Sequence, residues 1–354
     1  MEAQTRGVSL RPEVVAQFPD HWPSGIAPAR DGRIFLSFPR VDRTPAPATL
    51  SELIDGVAVP FPDELVNALD SSDAPHRFVS VHGIALGPGN RLLALDTGTT
   101  SLEGGAAGGA KLFVIDLEDN AIVRSIGFGH DVCVAGSYFN DLVIDYDRGE
   151  AGCAFISDSG ANAIVVVDLD SGQSWRRLSG DPSVWAATTP GFELATTDGL
   201  AKVTAGVDGI ALSPDARTLW WTPLGSYDLF SIATDALVDG RIEPHLLPLQ
   251  VVRHEPRRFA TDGLDCDREV RLYLTDGTNG TLQRFLPSES RYETLLHGSG
   301  YFVWPDAVKL GPDRIVYVTD SQVNRTPAWT GGVDRRRPPY TLYRAAIDAD
   351  PAQY

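Results

Sequence analysis

Cysteine is scarce in this chain: of 354 residues only Cys133, Cys153 and Cys266 carry a thiol. An odd, sparse set excludes a disulfide framework and reads as reduced, buried thiols. Basic charge is short as well. Lys and Arg number 30 against 47 Asp and Glu, a formal net charge of −17, which repels phosphate backbones and anionic lipid and excludes nucleic acid as a partner. The one basic run, Arg335 to Arg337, leads into Pro338 and Pro339 and reads as a solvated loop. No apolar run approaches the roughly 18 residues that a membrane helix needs. The N-terminal stretch also has no apolar core of signal-peptide length, so the expectation is a soluble cytoplasmic protein without membrane contact. Nucleophile elbows, phosphate-binding glycine loops, H-E-x-x-H and C-x-x-C are all missing, which removes the common motif-based enzyme classes. The glycine-rich stretch Glu103 to Lys111 is followed by no helix and reads as a flexible loop, and no organic cofactor is expected.

What the sequence does contain is a repeat. Six segments align, beginning at Ser24, His82, Asn140, Asp208, Asp262 and Asp306. Each has a polar residue, usually then Gly, a short apolar strand, a Pro/Asp/Gly turn and a second apolar strand that closes, in five of the six, on a polar residue. "DGIALSPDARTLWWT" from Asp208 and "DAVKLGPDRIVYVTD" from Asp306 show the pattern plainly. In five copies the first and last positions lie 14 residues apart: Ser24 to Phe38, His82 to Asp96, Asp208 to Thr222, Asp262 to Asp276 and Asp306 to Asp320. Only Asn140 to Asp158 carries a longer turn.

Two further strand-like stretches follow most copies, such as "KLFVIDL" and "AIVRSIGF" after His82. Four short antiparallel strands repeated six times predict an all-β fold, a six-bladed β-propeller with four-stranded blades formed by residues 1–354 as one domain. The only credible helix lies near Pro62 to Ser72. After the sixth copy one strand is plain, Tyr340 to Ile347, and that blade lacks its outer strand. "EVVAQF", Glu13 to Phe18, stands unassigned before blade 1 and is predicted to complete blade 6 and close the ring.

In such a blade the inner strand leaves one face and the second strand returns to it, so both polar positions lie on that face. The first position rings the central channel: Ser24, His82, Asn140, Asp208, Asp262, Asp306. The second forms a wider ring: Phe38, Asp96, Asp158, Thr222, Asp276, Asp320. Carboxylates crowded on an axis must raise their pKa values or bind a cation. An oxygen-rich set favours Ca²⁺ or Mg²⁺ over zinc. Asp-Gly before each strand is also ordinary turn chemistry. Long stretches on the same face, 38–56, 180–206 and 321–339, carry Trp185 and Trp329 and could shape a pocket. Trp22 and Trp304 precede inner strands at equivalent places. With Tyr138, Ser24, Phe38, Asp306, Trp185 and His21 they make up the substrate-binding candidates. His21 and His82 are the histidines best placed for proton transfer.

The blocks Phe139 to Leu178 and Asp208 to Ile232, with "WPSGIA" from Trp22 and "VYVTDSQVNR" from Val316, resemble the major royal jelly protein/Yellow family in its bacterial branch. That resemblance implies a six-bladed propeller in a family of nutritional proteins, pigment-pathway proteins and small-molecule binders. More distantly the chain is similar to gluconolactonase/paraoxonase propellers, which hold a divalent cation at the channel mouth through Glu and Asn/Asp ligands. Asn140 and Asp208 stand where two such ligands would be, Ser24 stands in place of the Glu, and Asp262 or Asp306 is left to substitute.

The leading expectation is an intracellular enzyme acting on a small cyclic or aromatic metabolite at the channel mouth. In one version a cation held by Asn140, Asp208 and Asp262 assists hydrolysis, with His82 as acid/base. In the other, His82, Asp208 and Asp262 move protons in an isomerisation, elimination or cyclisation. The alternative is a non-catalytic small-molecule binder or scaffold. The oligomeric state is not readable.

Overall fold

Strands form because short runs of β-branched and large apolar residues are punctuated by Gly, Asn and Asp turns. The computed structural model describes residues 10–41, 46, 48–69, 76–187, 192–296 and 300–352. It contains six four-stranded antiparallel sheets and one two-stranded hairpin. The sheets are the blades of a six-bladed β-propeller. Blade 2 shows the plan: Val81–Gly87 innermost, then Arg91–Asp96, Lys111–Asp116 and Ala121–Gly127. Inner strands of blades 3, 4 and 6 are Phe139–Asp145, Val207–Leu212 and Pro305–Gly311. Those of blades 1 and 5 are shorter, Ile26–Pro28 and Leu264–Cys266.

Ring closure is as the unassigned N-terminal strand predicts. Glu13–Phe18 pairs antiparallel with Tyr340–Ala346 and becomes the outermost strand of blade 6, which covers an edge that would otherwise be open. The expected helix is a single turn, Glu64–Asn67, capped by Asp63, whose side chain accepts from the Val66 N–H, and it is not alone: a second short helix, Thr234–Val238, follows the third strand of blade 4. Residues 70–72 of the expected helix lie outside the described residues. All three long stretches are partly regular, the third through a single 3-10 turn, Val323–Arg325. The first contains the third strand of blade 1, Leu50–Ile54, because Ser51 pairs with both Leu36 and Pro60. The second contains the hairpin Leu194–Thr196 with Gly199–Ala201.

Apolar side chains fill the wedges between neighbouring blades. Trp221, fully buried, stacks on Phe230 at 5.8 Å, and its Nε1 donates to the Ser183 carbonyl at 2.8 Å. Burying an aromatic of this size removes about 200 Å² from water, worth about 5 kcal/mol before entropy is counted. All three cysteines are buried and unbridged. Among the described residues no helix is long and apolar enough to cross a membrane.

Candidate active site

The ring positions owe their direction to a defect in pairing. In blades 2, 3, 4 and 6 the inner strand shifts register by one residue at its start, between Val81 and Ile84, Phe139 and Leu142, Val207 and Ile210, and Pro305 and Val308. Such a bulge re-aims the side chain it carries, here His82, Asn140, Asp208 and Asp306. In blades 3 and 6 a backbone N–H within the irregularity, that of Asp141 or Ala307, is met by a hydroxyl from the second strand, Ser157 or Thr319. Ser37 and Thr275 accept in the same way from the N–H of Gly25 and Gly263 in blades 1 and 5, whose inner strands are shorter. The Gly after the ring residue is steric. A Cβ on Gly25 would lie 2.6 Å from the His82 carbonyl, and one on Gly83 would lie 2.5 Å from that of Asn140. Neighbouring blades therefore touch backbone to backbone around the axis.

The wider ring positions the inner one. Asp96, buried, accepts from the Val79 and Ser80 N–H groups, two residues ahead of His82. Asp158 accepts from Tyr138 N–H and Ser137 Oγ and pairs with Arg176 at 2.7 Å. Asp320 accepts from Val303 and Trp304 N–H, ahead of Asp306. Asp276 is surrounded by Asn279, Thr281 and Gln283. Thr222 makes no such bond; its Oγ1 is buried without a partner.

Above the inner ring lies a cavity of about 340 Å³, at the small end for ligand sites. Its floor is His82, Asn140, Asp208, Asp262 and Asp306, and its walls include Trp22, Tyr138, Leu224, Val203 and Trp329. The carboxyls of Asp208 and Asp262 stand within reach of one another, an arrangement that favours a proton held between them. Burial, then the charge of Asp306, holds both well above the ordinary carboxyl range. Asp262 is further fixed by Trp304 Nε1, which donates to Oδ2 at 2.6 Å. Burial also raises Asp306, to about 6, against the pull of the Ser321 and Ser24 hydroxyls. Ser24 Oγ donates to Asp306 Oδ1 at 2.9 Å. His82 Nδ1 meets Tyr138 Oη at 2.7 Å, which leaves Nε2 for a ligand. Burial pushes His82 down to about 3, so the imidazole is neutral near pH 7. Trp22, whose ring lines the wall, has its Nε1 buried with no hydrogen-bond partner.

The ring and cavity gather His82, Asp208, Asp262, Asn140, Asp306, Trp22 and Tyr138. Ser24 lines the channel just below, where the ring narrows it. Four of the expected substrate-binding residues do not line this cavity. His21 and Phe38 are absent from the cavity wall and pack against each other at 4.9 Å, because Phe38 is a fully buried core residue. Trp304 supports from behind, with its ring 4.9 Å from Trp329 and its N–H on Asp262. Trp185 sits at the end of a short turn, partly exposed and away from the cavity.

A second charged layer was missed. Lys309, Asp141 and Asp265 are half-buried in the channel below the ring, Lys309 and Asp265 at the edge of a cavity of about 90 Å³ that opens towards the opposite face. Burial works against the Lys309 ammonium, but Asp141 and Asp265 more than offset it and hold its pKa above the usual lysine value. The smaller cavity holds one Asp and one Lys among mainly apolar walls. The larger one carries the converging carboxylates and is the candidate site.

A divalent cation suits the donor chemistry. Asn140, Asp208, Asp262 and Asp306 offer oxygen alone, and no cationic side chain acts on the three carboxyls. Among the described residues, however, no three His, Cys, Asp or Glu side chains converge at ligating distance. Asp208 and Asp262 are paired with each other, and Asp306 with Ser24.

An all-β ring with an acidic, aromatic-walled cavity at one channel mouth defines the class of six-bladed propellers with a central site. Within it, the family model described as "Major royal jelly protein" matches residues 79–295, and the chain belongs to that family. Major royal jelly protein 5 of Apis mellifera is 27% identical over 217 residues, covering 57% of this chain and 34% of its own length. The chain spans between a third and about half of the length of the Apis mellifera relatives it matches. In fold it is similar to a gluconolactonase of Xanthomonas campestris, with TM-score 0.57, 13% identity and coverage of 98% and 93% of the two chains. It is also similar to regucalcin of Agrobacterium tumefaciens, a calcium-binding protein, with TM-score 0.55, 14% identity and coverage of 97% and 96%. At such identities the likeness is one of fold.

Proposed function

We propose that this propeller is an enzyme that moves protons on a small cyclic or aromatic metabolite held at the channel mouth. The observation that carries this reading is the neighbouring carboxyls Asp208 and Asp262 on the cavity floor, both held well above the ordinary carboxyl range. A shared proton supplies an acid and a base at one place. The ionised partner takes a proton from carbon next to a carbonyl and the protonated partner returns one elsewhere on the substrate, so the pair again holds one proton and the net change is isomerisation, with the neutral His82 Nε2 left to hydrogen-bond the substrate. The Trp22 and Trp329 rings, which line the cavity, hold a flat body. Deuterium uptake from D₂O by a panel of small lactones and enolisable cyclic ketones, read by proton NMR, tests this. Exchange that falls by at least about 100-fold in Asp208→Asn supports it. A compound that binds without exchange in any variant would overturn it in favour of a non-catalytic binder.

A second reading rests on the oxygen-only donor set and the fold likeness to a calcium-binding protein. Asn140, Asp208 and Asp262 would hold Ca²⁺ or Mg²⁺, which supplies carbonyl polarisation or water activation when bound. Calorimetric titration with Ca²⁺ decides it: binding that disappears in Asp208→Asn favours the cation, and no heat in the wild type removes it.

A further inference from the structure

The hairpin Leu194–Ala201 leaves the connection between blades 3 and 4 and reaches blades 5 and 6 across the cavity face. The chain that follows it, Lys202, Val203, Thr204 and Ala205, is cavity wall. Its two ends are held differently. The base is part of the core: Leu194 is fully buried in one cluster with Trp22, Leu224 and Trp304. The tip touches the rest of the protein through polar contacts. Thr197 N–H donates to the Gly277 carbonyl at 3.2 Å and Thr197 Oγ1 to the Val303 carbonyl at 2.8 Å. Asp198 pairs with Arg325 at 2.6 Å and also accepts from Asn324 Nδ2. Leu200, the large apolar residue at the tip, is 71% exposed, so lifting the tip uncovers no core. Arg325 belongs to the segment that supplies Val323, Ala328 and Trp329 to the opposite wall.

We propose that this hairpin is a lid on the channel-mouth cavity, hinged at Leu194 and latched to the blade 6 loop by Asp198 and Arg325. Its two anchors differ as a hinge and a latch must. The apolar base is costly to move, whereas a partly exposed ion pair is worth little and breaks readily. With the latch made, the two cavity walls are joined above the acidic floor. With it broken, the tip can lift and carry Lys202 with it, while Ala205 stays fixed through its carbonyl, which accepts from the Gly225 N–H at 2.9 Å.

The test needs no substrate, so its failure is distinguishable from failure of the proposed chemistry. A thiol placed inside the cavity by Ser159→Cys reports access. The native cysteines are buried, and mass spectrometry confirms which thiol reacts. The rate of modification by a bulky maleimide is compared with the latch intact, in Asp198→Ala, in Arg325→Ala, and in the swapped pair Asp198→Arg with Arg325→Asp. The single variants are expected to react about three- to fivefold faster, the factor that an ion pair of this exposure is worth, and the swapped pair to return towards the starting rate. Hydrogen exchange at the tip amides should rise in the same single variants. Equal rates in all four proteins, or a faster rate without restoration by the swap, would overturn the lid.

Discussion

Replacing Asp306 by Asn should stabilise this protein, and only at neutral pH or above. Asp306 is 6% exposed, and burial lifts its carboxyl from 3.8 to about 6. An acid whose pKa is raised by folding binds its proton more tightly in the folded state. Stability is then full below the unfolded value and is lost as pH climbs through about 6. A shift of about two units corresponds to roughly 3 kcal/mol above that range. Asn cannot ionise and escapes the loss, but its amide nitrogen cannot accept from Ser24 or Ser321, which returns about 1 kcal/mol. The net gain is about 2 kcal/mol at pH 7.5, or roughly 3–5 °C in Tm for a chain of this size. Thermal melts of both proteins by circular dichroism at pH 4.5 and 7.5 measure it. A variant no more stable than wild type at pH 7.5, or equally stabilised at pH 4.5, would refute the reasoning.

Other consequences can be checked with simple variants. Gly83→Ala brings a Cβ to 2.5 Å from the Asn140 carbonyl and should cost about 2–3 kcal/mol by chemical denaturation. Asp158→Ala leaves Arg176 buried without its carboxylate and should cost about 3 kcal/mol or more, unlike substitutions of solvent-facing aspartates. The His82 ring, lowered to about 3 by burial, should show no NMR titration between about pH 5 and 8, whereas an inflection near its ordinary value would contradict its buried, neutral state. Removing residues 10–18 takes away the outer strand of blade 6 and should abolish cooperative unfolding, seen as a broadened melt.

The repeat was legible because a blade is a local unit: strand, turn and strand recur with turn residues at fixed offsets. The inner ring was legible for the same reason, since its residues head each copy. Other features depend on contacts between blades and left weaker traces. Ser or Thr one residue before the wider ring, at Ser37, Ser157, Thr275 and Thr319, was visible, but its bond to the backbone after the ring residue appears only in three dimensions. The lower charged layer had a readable signal. Three residues after each ring position stand Ala27, Ala85, Val143, Ala211, Asp265 and Lys309, where two charges interrupt small apolar residues. Asp141 likewise breaks a run of glycines after ring residues. Phe38 and His21 were misplaced because position in the repeat fixes a face, while burial decides whether the side chain reaches the cavity.

The central claim is that Asp208 and Asp262 share one proton at the floor of the cavity. Carbon-13 titration of protein labelled at the aspartate γ-carbons, assigned with Asp208→Asn and Asp262→Asn, reads this directly. The geometry predicts two resonances that move together, with one proton retained well above the ordinary carboxyl range. Two independent transitions near the ordinary carboxyl value would contradict it.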